Sequence, residues 1–263
     1  NIFLGGSILV LIIAGIGCSN KASESTLDKD ILIVGMDDAF APMGFKDESG
    51  EITGFDVDLA KELGKRLNKE IIFQPIDWTM KESELKSGNI DLIWNGYTIT
   101  EERKNKVDFS VPYLKNKQVI VTLADSNINS KSDLANKKVG AQSESSAVAA
   151  MEKEEDLYAS FNGGCAITFE DNNQALMDLE AGRIDAVVAD EILVRYYLNL
   201  KGEDKFKILD DNFGDEEYGV GIRKGDTEMV DAFNKAYKEM QKDGTLQEIS
   251  KKWFNEDITI KSE

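Results

Sequence analysis

The sequence predicts an α/β protein of mostly parallel sheets, folded as two similar lobes. Three observations carry that expectation. From residue 31 onward, short apolar runs typical of buried strands alternate with amphipathic helical stretches, the mark of parallel sheets flanked by helices. Two segments, "SGNIDLIWNG" (87–96) and "AGRIDAVVAD" (181–190), align without a gap. Each runs from a helix end through Gly and an Ile-Asp pair into a buried strand that stops at a polar residue. Any αβ turn favours Gly at the helix C-cap, which is one explanation. The sharper one is a pair of lobes whose strands end at matching places. Finally, 112–123 lies between the two halves and 216–225 follows the second, so both are placed to join the lobes.

The elements follow in order. "ILIVGMDD" is a short apolar run that reads as a buried strand. "GFDVDLAKELGKRLN" places Val57, Leu59, Ala60, Leu63 and Leu67 on one helical face, with Asp56 expected as its N-cap. The strand "EIIFQPID" follows, and then "TMKE" shows the capping-box spacing of Thr79 and Glu82, opening a helix that ends at Gly88. "IDLIW" is the next strand. Beyond the first connection come the strand "KKVGAQ", the helix "SSAVAAMEKE", the strand "AITF", the helix "NNQALMDLEAG", the strand "IDAVVAD" and the helix "EILVRYYLNL". The last part, 227–254, is strongly helical and is expected to pack back on the first lobe.

Before residue 31 the chain is of another kind. Residues 8–16 are apolar, small residues precede Cys18, and "SNKASESTLDKD" (19–30) is polar and unpatterned, as a tether is. A membrane-spanning helix needs roughly 20 apolar residues, so this stretch is at the short limit. A plain secretory signal is a second reading. A lipoprotein signal fits best: residues 1–18 as the signal segment, Cys18 as the lipid-attachment site, and 19–30 as the tether. Gly15 stands where such signals usually carry Leu. Cys165 is then a lone thiol.

Composition excludes several functions. The 263 residues are enough for one large domain or two modest ones. A formal net charge of -18 argues against a nucleic-acid partner, which needs a basic surface. There is no histidine, which removes the commonest general base, the usual zinc ligand and the Ser-His and Cys-His pairs. No cofactor, metal or catalytic residue is expected.

The candidate site lies at the strand ends. In open α/β sheets, ligands sit beyond the carboxyl ends of strands, and two lobes with facing strand ends make a cleft. In "TITEER", Thr100 is placed as N-cap and Arg103 falls in the first turn, where a helix start disfavours a cation. Either Arg103 pairs with a surface carboxylate, or it joins free backbone N–H groups in gripping an anion such as a carboxylate. At the matching place Asp190 ends a buried strand, either as N-cap of the next helix or as a partner for a cation. Arg103 on one lobe and Asp190 on the other suit a ligand with one anionic and one cationic end, as an α-amino acid has. Phe40 and Trp78, at two further strand ends of the first lobe, are either core or a stacking wall.

These residues also carry a resemblance. The chain from about residue 31 to 254 resembles the polar amino-acid-binding family (family 3) of extracytoplasmic solute-binding proteins, which serve ABC importers. The motifs are "GMDDAFAPMGF", "GFDVDLAKEL", "SGNIDLIWNGYTITEERKNKVDFSVPY", "KKVGAQSESSA", "EAGRIDAVVAD" and "YGVGIRKG". The resemblance implies a two-lobed periplasmic-binding-protein fold, with 30–115 and 217–263 in one lobe, 116–216 in the other, and hinge crossings near 114–119 and 213–219. It implies Arg103 on the ligand α-carboxylate with Thr98 and the backbone of Ser146, and Asp190 on the α-ammonium with the Gly96 carbonyl and Thr98. Phe40 and Trp78 would sandwich the ligand side chain, Asp37 would reach its polar end, and Ser145 would contribute from the second lobe. The implied partners are an L-amino acid (glutamine, cystine or a basic one), an ABC permease and the membrane holding the lipid anchor, with the protein itself a monomer. Glu144 departs from the family, which usually has Gly there. With Asp37, Asp38 and Asp77 close in sequence, the pocket is expected to be acidic, favouring a cationic or amide side chain. The alternatives are a dehydratase-like enzyme on the same scaffold, for which Glu144 is the one unusual acid, or an amino-acid sensor module.

Overall fold

The computed structural model describes residues 25–261. The signal segment, Cys18 and the first part of the tether lie outside the described residues. In chain order the elements are β1 (Ile31–Met36), β2 (Ala39–Phe40), β3 (Gly44–Lys46), β4 (Ile52–Thr53), α1 (Phe55–Leu67), β5 (Glu70–Pro75), α2 (Lys81–Ser87), β6 (Leu92–Ile93), α3 (Glu101–Lys104) and β7 (Val107–Phe109). Then follow β8 (Leu114–Leu123), β9 (Val139–Gln142), α4 (Ser146–Glu152), α5 (Glu155–Ala159), β10 (Ile167–Phe169), α6 (Asn172–Glu180), β11 (Ala186–Asp190), α7 (Glu191–Lys201), β12 (Phe206–Tyr218), β13 (Gly221–Arg223), α8 (Thr227–Asp243) and α9 (Thr245–Phe254).

Two five-stranded sheets form two lobes, ordered β5-β1-β6-β13-β7 and β10-β9-β11-β8-β12. Each has the same plan. Three parallel strands carry the βα connections, and two further strands join antiparallel. The parallel part is as expected from the alternation. The antiparallel part arises because the long strands β8 and β12 leave and re-enter the first lobe side by side, pairing from Leu114↔Tyr218 through Asn116↔Glu216 and on to Phe206↔Leu123. The lobes are thus joined by a ribbon of two strands. The chain returns through β13 to complete the first sheet, and α8 and α9 then pack on α1. Trp253 Nε1 donates to Asp58 of α1 at 2.8 Å, fixing that return.

Several local expectations are met and two are corrected. Gly88 ends α2 in a left-handed C-cap, and Thr100 Oγ1 accepts from the Arg103 N–H at 3.1 Å as an N-cap should. Asp56 is not the cap of α1. The helix opens one residue after Gly54, which stands at φ +143°, and Asp56 is buried in the first turn. Its carboxylate accepts instead from the Gly96 N–H at 2.8 Å and the Tyr113 hydroxyl at 2.9 Å. Burial pushes its pKa up to about 7. The Thr79–Glu82 box is also absent: Asp77 caps a short 3-10 turn at Trp78–Met80, and α2 begins only after it. Residues 25–28, within the stretch read as tether, form a turn. Its backbone and the Ser25 hydroxyl are held by the Asp226 carboxylate at 2.8 Å.

Candidate ligand-binding site

The strand ends of both lobes face each other across a cleft that is shut. Side chains and backbone from opposite lobes meet directly. Gln142 Nε2 donates to Asp37 Oδ2 at 2.7 Å, Thr98 Oγ1 and Ser146 Oγ are 3.1 Å apart, and Asn173 Nδ2 donates to the Ala39 carbonyl at 3.2 Å. Arg103 and Lys81 of the first lobe both donate to the Glu144 carbonyl of the second, at 3.3 and 3.2 Å.

Between these contacts lies a small cavity of about 10 Å³, room for no more than a water. The first lobe lines it with Asp37, Phe40, Trp78, Asn95, Gly96 and Arg103, and the second with Gln142, Ser145, Ser146 and Asp190. That is far below the roughly 300–1,000 Å³ of ligand pockets, so the two lobes must part before a ligand can enter. Gly96 is required here: it stands at φ +58°, and a Cβ would come within 2.8 Å of the Phe40 ring.

Arg103 is buried, at 8% exposure, and lies with its guanidinium over the Tyr97 ring at 4.5 Å. Its Nη1 donates to the Thr98 carbonyl at 3.0 Å, and its nearest carboxylate, Glu82, is at 4.0 Å. A surface ion pair therefore does not explain its place in the first turn. The short helix α3, capped by Thr100, turns the guanidinium into the cleft. Lys81, fully buried beside it, is held by the Trp78 and Glu144 carbonyls, and burial first, then the charge of Arg103, lowers its pKa to about 8.

Asp190 occupies the N-cap position of α7 without capping it. Its Oδ2 accepts from Asn116 Nδ2 at 2.9 Å and from the Tyr218 hydroxyl at 2.5 Å, and it has no ion pair among the described residues. Burial, then the nearby charge of Glu216, pushes its pKa well above the carboxylate range. Asp37 accepts from the Ala39 N–H and from Gln142, and burial lifts it to about 6.

Of the nine residues expected from the sequence to contact the ligand (Asp37, Phe40, Trp78, Gly96, Thr98, Arg103, Ser145, Ser146 and Asp190), all but Thr98 line the cavity. Thr98 stands just behind it, joined to Ser146. Phe40 and Trp78 are both buried and both on the wall, Trp78 edge-on to Tyr97. The Ser145 hydroxyl is buried and has no hydrogen-bond partner. Asp38 and Asp77 are not part of the site. Asp38 pairs with Lys46, and Asp77 holds its own turn, so the acidity of the lining rests on Asp37 and Asp190. Sequence reading missed Asn95 and Gln142. Gln142 ends β9 and Asn95 follows the end of β6 by two residues, so the strand-end rule applied throughout would have found them. It also missed Asn116, Gln118 and Glu216, which the hinge ribbon brings beneath the site. Cys165 is free and exposed, far along the chain from any of these.

The comparisons with known proteins bear on this geometry. The bacterial extracellular solute-binding proteins, family 3, match residues 32–256. The chain belongs to that family. It is 36% identical over 262 residues to the L-cystine-binding protein TcyJ of Escherichia coli (strain K12), covering 97% of this chain and 96% of the relative. It is 34% identical over 256 residues to the arginine-binding extracellular protein ArtP of Bacillus subtilis (strain 168), covering 96% of each. Among solved structures, an ABC uptake transporter substrate binding protein from Streptococcus pneumoniae with bound histidine superposes with a TM-score of 0.86. That pair shares 40% identity, covering 89% of this chain and 96% of that one. The two-lobed architecture is that of these amino-acid-binding relatives.

Proposed function

We propose that this family 3 protein is an extracytoplasmic receptor that closes on one L-amino acid and presents it to an ABC permease. One observation carries the reading. A buried guanidinium, Arg103, whose nearest carboxylate is Glu82 at 4.0 Å, and a buried carboxylate with no ion pair among the described residues, Asp190, come from opposite lobes and line the same cavity. An α-amino acid supplies the missing charge at both ends. Its carboxylate would take the two-pronged Arg103, the unpartnered Ser145 hydroxyl and the backbone N–H of Ser146 at the start of α4. Its ammonium would take Asp190, the Gly96 carbonyl and Thr98. Phe40 and Trp78 would hold the side chain between them, and Asp37 with Gln142 would meet its far end.

Because both lobes contribute, a ligand that bridges them favours the closed form, and the permease reads that form. The side chain best suited to Asp37, Gln142 and the unpaired Asn95 Oδ1 is one that donates hydrogen bonds: a basic or amide side chain, or the second ammonium of cystine. Cystine, arginine and histidine are named for the relatives above, which favours this class. Acylation at Cys18 would hold the receptor at the outer face of the membrane as a monomer. No positioned nucleophile or acid–base pair in the cavity favours the enzyme reading.

A thermal-shift panel against the twenty amino acids, cystine and ornithine tests the proposal. A ligand that binds only the folded state raises its melting temperature. One strong response is expected among the basic and amide amino acids or cystine. A flat panel from protein freed of carried-over ligand would contradict it.

A further inference from the structure

We propose that Glu216, on the hinge strand β12, is a positioning residue that makes lobe closure depend on the ligand ammonium; the inference rests on the amino-acid-receptor reading. Its Oε1 accepts from Thr98 Oγ1 of the first lobe at 2.9 Å and lies 3.5 Å from Ser146 Oγ of the second. Asn116 Nδ2 and Gln118 Nε2 of the neighbouring crossing strand donate to the same oxygen, at 2.6 and 2.8 Å. One atom thus gathers donors from both lobes and from the ribbon that joins them. Of these contacts the Thr98 one crosses between the lobes, while those of Asn116, Gln118 and Ser146 lie within the ribbon and the second lobe.

The same contact has a cost. The amide of Asn116 is shared between Glu216 and Asp190, so two carboxylates converge beneath the cavity, and neither has an ion pair among the described residues. The cations of this hinge region, Lys115 and Lys117, line an open hollow behind Glu216 together with Glu191, Asp215 and Glu217, and so are already set among acids. A buried carboxylate and a half-buried one that converge repel, and the raised pKa of Asp190 follows in part from the charge of Glu216. A ligand ammonium beside Asp190 and Thr98 relieves that repulsion. Glu216 therefore draws both lobes together and, by its charge, resists a closure that lacks a cation. This sets it apart from Asp190, which meets the ammonium directly.

The test compares thermal unfolding of the wild type and Glu216→Gln, with and without the amino acid giving the wild type its largest shift, and measures ligand release by stopped flow. Gln keeps the size and the accepting oxygen but removes the charge. The expected result is an unliganded Tm equal to or above that of the wild type, a smaller ligand-induced shift, and release faster by roughly tenfold, a 1.4 kcal/mol change. A lower unliganded Tm would overturn the proposal, because Glu216 would then be holding the fold. An unchanged ligand response would overturn it equally. Failure of the wild type to respond to any amino acid counts against the receptor reading instead, and the unliganded comparison still judges the repulsion.

Discussion

Asp91 and Asp190 are both buried aspartates beside the central strands of their lobes, at 0% and 4% exposure. Asp91, at the foot of β6, is met by Lys29 at 2.5 Å, by Arg223 at 3.3 Å and by the Ile33 N–H at 3.0 Å. Asp190, at the head of β11, is met among the described residues by the neutral donors of Asn116 and Tyr218 and by no cation. The first charge is balanced within the chain and ties the N-terminal turn and β13 to the sheet. The second is held in position but left unbalanced. A buried charge costs several kcal/mol unless paired, so a chain that leaves one unpaired at a cavity wall has a site for a cation. Arg103 is a similar case with the sign reversed: two of its N–H groups go to the neutral carbonyls of Thr98 and Glu144, and among the described residues its nearest carboxylate, Glu82, is at 4.0 Å.

The contrast can be broken by mutation, and the largest effect is expected at Arg103. Arg103→Ala should weaken amino-acid binding by about 100-fold or more, since a ligand carboxylate would be left buried and unpaired; calorimetric titration reads this directly. Next come the paired substitutions at the two aspartates. Asp190→Asn should lower affinity by roughly 10- to 100-fold while leaving the unliganded Tm unchanged or higher. Asp91→Asn should do the opposite, keeping affinity and costing about 1–3 kcal/mol of stability by orphaning Lys29 and Arg223. If both variants lose stability and affinity alike, the contrast is empty.

A subtler expectation concerns pH. Asp37, Asp56 and Asp190 all have pKa values raised by burial, to about 6 for Asp37 and about 7 for Asp56. A carboxyl whose folded pKa lies above its unfolded value stabilises the fold below the ordinary carboxylate range, and that contribution is lost as pH rises through the folded pKa. Unliganded stability should therefore fall as pH rises from about 4 through about 7. The ligand ammonium favours ionised Asp190, so binding should release protons in that window. Titrations in buffers of different ionisation enthalpy would reveal it, and a buffer-independent heat would count against it. The smallest effect is expected at Lys81. Lys81→Met removes one of the two donors to the Glu144 carbonyl and should speed ligand release only a few-fold, by loss of one hydrogen bond.

Much of this was legible in the sequence. Alternating apolar runs and helical faces predict the two sheets, and the echo of 87–96 in 181–190 correctly marks two strands whose ends face each other. Thr100 and Gly88 declare the ends of their helices because capping is a local matter. The failures came where a local rule met tertiary packing. Asp56 has the right type for a cap, but Gly54 starts the helix, and the carboxylate turns inward to Gly96 and Tyr113 from distant segments. Asp38 and Asp77 are neighbours of the site in sequence only. Glu216 shows no periodic or capping signal. Its place under the cavity follows from the register of β8 with β12, which pairs it with Asn116 and which no single strand reveals. Glu144 is similar. It sits at φ +55°, where Gly is at ease, with its side chain exposed and its carbonyl turned to Arg103 and Lys81. Its contribution is made by backbone, which residue identity does not announce.

The central claim is that Arg103 and Asp190 read the two ends of one amino acid. The most direct test is calorimetric titration of the wild type and Arg103→Ala with the preferred amino acid and with its α-carboxamide, which keeps the ammonium and removes the negative charge. The account predicts that the wild type strongly prefers the acid and that Arg103→Ala binds both equally weakly. A variant that still distinguishes the acid from the amide as well as the wild type does would place the carboxylate elsewhere and contradict the account.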